Sequence, residues 1–220
     1  MARIARIVIE EFPHHIVQRG NNRSKVFFAQ QTRQKYLELL RQYAQDWNVS
    51  ILAYCLMTNH IHLLVKPHQT VALYKMMQGV SQAYSKYINK KYRRTGRLWE
   101  SRYYSCVVDK EKYLWAVARY IEQNPLRAKI VKQIENYFYS SAKAHILCQP
   151  DETLTEELFP VDSRTDYIKF VTAPVSEKEL QKIRGTARTG RPLGNNKFIV
   201  RISKLLNRGL LKKVSGRPFK

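Results

Sequence analysis

The order of strand-like and helix-like segments in this sequence is compatible with an α+β fold, and three observations carry that expectation. Residues 49–57 and 60–66, VSILAYCLM and HIHLLVK, read as a pair of short apolar strands joined at Met57–Thr58–Asn59. Residues 31–47 and 71–92 space their apolar side chains as helices do. A further strand-like stretch at 97–108 leads into a third helical stretch that ends at Pro125. The chain of 220 residues is long enough for a core that needs no disulfide or structural zinc.

Taken in order, residues 13–28, PHHIVQRGNNRSKVFF, predict a strand, a turn at Gly20–Asn22 and a second short strand or extended segment. His14 and His15 are adjacent, so in a strand they face opposite ways and make a poor chelate. A structural or DNA-proximal role suits them better than ligation. Arg19, Asn21, Asn22 and Arg23 at the turn fit a phosphate contact and equally a solvated polar turn. Residues 31–47 bring Tyr36, Leu39, Leu40, Tyr43 and Trp47 together as a core-facing helix. In the helix from Val71 to Tyr92, Leu73, Met76, Met77, Val80, Tyr84, Tyr87 and Ile88 form the apolar stripe, and the basic turn KKYRRTGR with Arg93 and Arg94 ends it. Residues 97–108, RLWESRYYSCVV, alternate as a strand bearing Trp99, Arg102, Tyr103 and Tyr104. Such a strand serves single-stranded nucleic acid, or places its aromatics in the core and its arginines in solvent.

Asp109 is expected to cap the third helix and Pro125 to stop it. Residues 126–150 lose periodicity, with Tyr137, Phe138 and Tyr139 expected to pack on the core. Residues 151–175 are locally acidic, and a last helix is expected from Glu177 to about Arg184. The tail holds Gly-Arg-Pro at 190–192 and 216–218, around an amphipathic segment with Phe198, Ile199, Ile202, Leu205 and Leu206. Gly-Arg-Pro displays Arg191 and Arg217 on extended backbone, a shape suited to a minor groove. A disordered basic tail has the same composition.

Lysine and arginine total 39 against 17 aspartate and glutamate, a formal charge of +22. Self-repulsion of that size disfavours a compact chain without a polyanion, which makes nucleic acid the leading partner. The helical segments are not built as basic amphipathic membrane anchors. Cys55, Cys106 and Cys148 are scattered and lack CxxC spacing, which argues for a reducing compartment and against a zinc ribbon. No apolar run approaches the roughly 20 residues of a membrane span, and the N-terminal segment lacks a signal-peptide core. A cytoplasmic protein is expected.

The chemistry gathers around His60 and His62. Two residues apart in a strand, they share one face while Ile61 enters the opposite layer. A pair of imidazoles so placed is half of a divalent-metal site; one core and one surface histidine would give the same spacing. On the third helix Tyr120 and Asn124 lie four apart and share a face. A phenol and an amide carbonyl there can complete what two histidines begin. A tyrosine with an ordinary pKa of about 10 is a weak nucleophile at neutral pH. A divalent ion on the scissile phosphate offsets that weakness, and covalent capture stores the broken bond for transfer. No acidic base near His60 is evident for a hydrolase that uses activated water.

In order along the chain, HIVQRGNNR, NHIHLLV, GRLWESRYYS and RYIEQNPLRA resemble the REP-associated tyrosine transposases of the IS200/IS605-like HUH single-tyrosine group, over about residues 10–145. The resemblance implies a ferredoxin-like or RRM-like sandwich, an antiparallel sheet with helices packed on one face, in residues 1–150. Residues 151–220 would be a linker and basic extension. It implies His60, His62 and Asn124 as ligands of Mg²⁺ or Mn²⁺, Tyr120 as nucleophile, and cleavage of hairpin-containing single-stranded DNA through a 5′-phosphotyrosine. A monomer is preferred to a dimer. Rival readings are a DNA-binding protein without turnover and an RRM-like RNA-binding module. A zinc hydrolase lacks a further ligand.

Overall fold

The computed structural model describes residues 6–110 and 112–210. Four antiparallel strands form one sheet in the order β2-β3-β1-β4, with β1 His14–Arg19, β2 Val49–Met57, β3 His60–Pro67 and β4 Tyr104–Val107. Thr58 and Asn59 make the tight β2–β3 connection, and an irregularity between Ile51 and Ala53 shifts the β2 register. This is the expected α+β sandwich, with helices on both faces of the sheet where one face was expected.

Alternation along the strands divides the core. Ile16, Ile61, Leu63 and Val65 face a layer made by α1, Gln30–Asp46, and α2, Ala72–Lys91. Tyr36 and Leu40 of α1 and Met76, Val80 and Tyr84 of α2 are fully buried there. Leu40, Met76 and Val80 each contribute about 1.5–3 kcal/mol through burial. The opposite face, with Ala53, Cys55, Leu64 and Cys106, meets Val117, Ala118, Tyr120 and Ile121 of α3, Leu114–Glu122. Residues from the C-terminal part fill out the same cluster: Tyr167 and Val171 of α6, Arg164–Thr172, and Ile183 of α7, Glu177–Thr189. Beyond α7, Leu193 exchanges backbone hydrogen bonds with Val107 and Asp109 and so covers the outer edge of β4. The last helix described, Asn196–Leu205, seats Phe198 and Ile202 on Ile7 and Val107.

Several local expectations are corrected. Residues 24–28 form no second strand. Val26 and Phe27 are both buried, and their amides donate to Thr58 O, so the segment wraps the core instead of alternating. The strand-like stretch at 97–108 becomes a strand only from Tyr104, because Leu98, Trp99 and Tyr103 are drawn into the α1–α2 core. Backbone bonds from Asn21 N to Leu98 O and from Glu100 N to Arg19 O hold that detour. Asp109 does not cap α3, which starts after Tyr113; the Asp109 carbonyl accepts from Tyr113 N in a preceding turn. Pro125 does not end the helical path. It sits at the start of a further turn, α4, Asn124–Arg127, where its missing N–H costs nothing. Helix α5, Ala142–Leu147, occupies a stretch without visible periodicity. Tyr137 packs inward as expected, whereas Phe138 is 63% exposed. Helix α7 runs on to Thr189 and ends at Gly190 with φ 70°, the left-handed conformation that glycine tolerates.

Candidate active site

The strand register sets the site. His60 pairs with Arg19 and Met57, and His62 with Val17 and Cys55, so both histidines stand on the face covered by α3. Their rings are 5.0 Å apart between centroids. Tyr120 reaches the same place from α3, edge-on to His62 at 5.5 Å. Asn124, one turn on, donates its Nδ2 to Tyr120 O at 2.9 Å and Ile121 O at 3.2 Å. Carbonyls only accept, so this fixes the amide orientation and leaves Oδ1 as its other terminus. His60, His62, Tyr120 and Asn124 all line one cavity of about 560 Å³. The sequence-predicted quartet is therefore brought together.

Two residues hold the quartet in place and were not foreseen. For His15 the sequence predicts a structural or DNA-proximal role and not ligation, without naming its partner. Across the sheet, however, it lies diagonal to His62, and its Nε2 is 3.0 Å from His62 Nδ1. Its ring stacks on His62 at 5.3 Å and meets Tyr120 edge-on at 5.7 Å. Arg127 places its guanidinium 4.6 Å from the Tyr120 ring centroid and donates to Tyr120 O at 2.5 Å. Burial is the main cause that lowers the Arg127 pKa. The spacing of seven from Tyr120, two helical turns, was the signal available for it.

Burial also keeps the imidazoles uncharged. It lowers the His60 pKa to about 4, helped by Arg19, and the His15 pKa to about 3. His62 lies well below its ordinary value, first through burial and then through the neighbouring His60, His15 and Arg127. His60 Nδ1 lies 2.7 Å from Asn59 Oδ1, while Asn59 Nδ2 donates to Arg23 O at 2.9 Å. Asn59 thus presents an acceptor to His60, which puts the proton on Nδ1 and the lone pair on Nε2.

The remaining wall is basic. Arg19 and Arg23 line the cavity, as do Arg184 and Arg188 of α7, with Glu100 as the carboxylate among the lining residues. Against the expectation of no acid near His60, Glu100 lines the same cavity, where its backbone N–H donates to Arg19 O. Of the other DNA-contact candidates, Asn21 gives its backbone N–H to Leu98 O. Arg93 is exposed beyond α2, and Arg94 stacks 5.4 Å from the Phe28 ring. Trp99 is a core residue, 8% exposed, with its edge on a separate groove that Arg102 also lines. Arg191 is half-buried after α7, and Arg217 lies outside the described residues. Neither Arg93, Arg94, Arg102 nor Arg191 lines the cavity of Tyr120.

Among the described residues no group of three or more histidine, cysteine, aspartate or glutamate side chains could hold a metal. The donors present are two neutral imidazoles and an amide oxygen, a set that suits a hard divalent ion which keeps several waters. No described helix is long and apolar enough to cross a membrane.

A family model described as transposase IS200-like matches residues 9–124, the segment from β1 to Asn124. No curated protein matches the chain. Among solved structures, the chain is similar to a REP-associated tyrosine transposase bound to a REP hairpin. The two share 14% identity at a TM-score of 0.55, over 73% of this chain and 94% of that one. It also matches a candidate transposase from Deinococcus radiodurans R1, at 17% identity and a TM-score of 0.38, over 61% of this chain and 97% of that one.

Proposed function

The chain belongs to the IS200-like transposase family, and from that premise we propose that it is an HUH-type single-stranded DNA endonuclease and strand transferase. It acts at hairpin-containing DNA, and its intermediate is a 5′-phosphotyrosine on Tyr120. The supporting observation is that Tyr120 stands edge-on to His62 while His60, His62 and Asn124 line the same cavity. The printed description of the REP-hairpin complex concerns that protein; a hairpin of the same general kind is the substrate proposed for this chain, in the REP-associated branch of the family.

Tyr120 Oη attacks the scissile phosphorus and forms a P–O bond to the enzyme. The bond from phosphorus to the 3′ oxygen breaks, that oxygen takes a proton, and the phenol proton leaves to solvent. Strand transfer is the reverse step with a different 3′-hydroxyl. His60, His62 and Asn124 would hold Mg²⁺ or Mn²⁺, which supplies charge neutralisation at the phosphate. A ligand role for His62 selects the tautomer in which its Nδ1–H donates to His15 Nε2 and its own Nε2 is free. Arg127 packs against the phenol ring and the helix turn behind it, which limits how far Tyr120 can swing. The protein is proposed to act in the cytoplasm as a monomer.

The test is incubation with 5′- and 3′-labelled hairpin DNA, in manganese or in chelator, for the native chain, Tyr120→Phe and His62→Ala. A metal-dependent adduct on the 5′ side of the cut, absent from both variants, is expected. Tight binding without an adduct on a panel of hairpins would instead favour a DNA-binding protein without turnover. An adduct that survives Tyr120→Phe would exclude Tyr120 as nucleophile.

A further inference from the structure

The family match ends at Asn124, yet part of the cavity wall comes from a helix more than fifty residues later. We propose that α7 is a phosphate clamp of the DNA site, with Arg184 and Arg188 gripping the backbone of the single strand beside Tyr120. The proposal rests on the transposase reading for its substrate and adds a second, C-terminal half to the binding surface.

Four observations support it. Arg184 and Arg188 are one helical turn apart and line the cavity together with Tyr120, His60 and His62. Helix α7 is firmly seated: Leu180, Ile183 and Ala187 are buried, and Glu179 takes a two-pronged bond from Arg119 of α3 at 2.9 and 2.8 Å. Arg119 is itself packed 3.9 Å from the Phe170 ring. The nucleophile helix and the arginine helix are thus tied directly to each other. Ala187 is 5% exposed between the two arginines, so the small residue lets the helix lie close on the sheet while its neighbours project into the cavity. Finally, the charges are available. Arg188 has no ion pair among the described residues, and Arg184 has only an exposed contact of 3.6 Å to Glu177, which solvent screens. A phosphate offers either guanidinium a better, two-pronged partner.

The full-length chain, Arg184→Ala/Arg188→Ala and Arg184→Lys/Arg188→Lys would be compared on hairpin DNA with a single-stranded flank. Affinity would be measured from low to high salt, and then on oligonucleotides with one neutral methylphosphonate at each position around the cut. The double alanine variant is expected to bind at least tenfold more weakly, with its melting temperature unchanged. Its salt slope should fall by about 1.4, roughly 0.7 for each phosphate contact on a single strand. Methylphosphonate at one or two positions should weaken the native chain equally and cost the alanine variant nothing more. The lysine variant should recover part of the affinity. Native affinity and slope in the alanine variant, or methylphosphonate losses that add to it at every position, would overturn the clamp. If the native chain shows this pattern but never forms an adduct, the clamp stands and the phosphotyrosine chemistry falls.

Discussion

Replacing Glu122 by alanine is expected to destabilise the fold by about 3–5 kcal/mol, although the residue touches no substrate. Its carboxyl group is fully buried two residues after Tyr120. It accepts from Ser141 Oγ at 2.6 Å, His145 Nδ1 at 2.5 Å and Tyr167 Oη at 2.9 Å. One side chain on α3 thereby fastens α5 and α6. Alanine would strand three buried donors, each worth about 1–3 kcal/mol if left unpaired, and water entering the vacated space would return part of that. Glutamine keeps the volume and one carbonyl oxygen but turns an NH₂ toward a donor, so about half the loss is expected. Tyr167→Phe alone should cost about 1 kcal/mol, and clearly less when Glu122 is already alanine. Urea unfolding followed by tryptophan fluorescence measures this directly, because the Trp115 ring lies 5.5 Å from the Tyr167 ring. A loss below about 1 kcal/mol for Glu122→Ala, or strict additivity with Tyr167→Phe, would refute the idea that this carboxyl organises the helices.

Three further outcomes follow from the geometry. His14 is buried and its pKa is lowered to about 4, mainly by desolvation, while the unfolded chain titrates near 6.5. The unfolded state therefore binds a proton that the folded state refuses, so His14 leaves stability intact above about pH 6.5 and erodes it by on the order of 3 kcal/mol toward pH 4. His14→Gln should flatten that part of a plot of urea midpoint against pH. Gly79→Ala places a Cβ 2.3 Å from the Tyr43 ring at the α1–α2 contact, and a loss of about 1–3 kcal/mol in chemical denaturation is expected. His15→Phe keeps a ring against Tyr120 but removes the partner of His62 Nδ1. The manganese concentration that gives half-maximal DNA capture should rise about 10–100-fold, and an unchanged midpoint would show that His15 is packing alone.

What could be read from the chain was whatever local periodicity controls. His60 and His62 share a face because strands alternate, and Tyr120 and Asn124 share one because helices repeat, so each half of the site was legible before the two met. For His15 the same alternation argued only against ligation. Its contact with His62 is diagonal across two strands whose pairing no local pattern announces. Arg184 and Arg188 show the complementary limit. Arg188 lay past the helix end expected at about Arg184, and whether that helix faces solvent or the cavity of Tyr120 depends on docking through Arg119 and Glu179, sixty residues apart. For Trp99 the sequence left nucleic acid and core open, and the core has it. A basic, aromatic stretch suits nucleic acid, yet a large apolar ring is worth more to the core, and Tyr36 and Tyr84 had already formed a pocket for it.

The seating of Tyr167, Ile183 and Leu193 on the α3 side of the sheet also has a meaning in time. A ribosome delivers β1 to α3 first, so the histidines and the tyrosine emerge while the residues that close over their side of the sheet are still unmade. Domains fold as units during synthesis, and here the unit is complete only once Leu193 has reached the edge of β4. Nascent chains of increasing length should therefore turn protease-resistant in two steps, the first once Leu98, Trp99 and Tyr103 have joined the α1–α2 core and the second after α7. Until the second step the growing polypeptide lacks Arg184 and Arg188. The two arginines that line the cavity are therefore made some sixty residues after the tyrosine they stand beside.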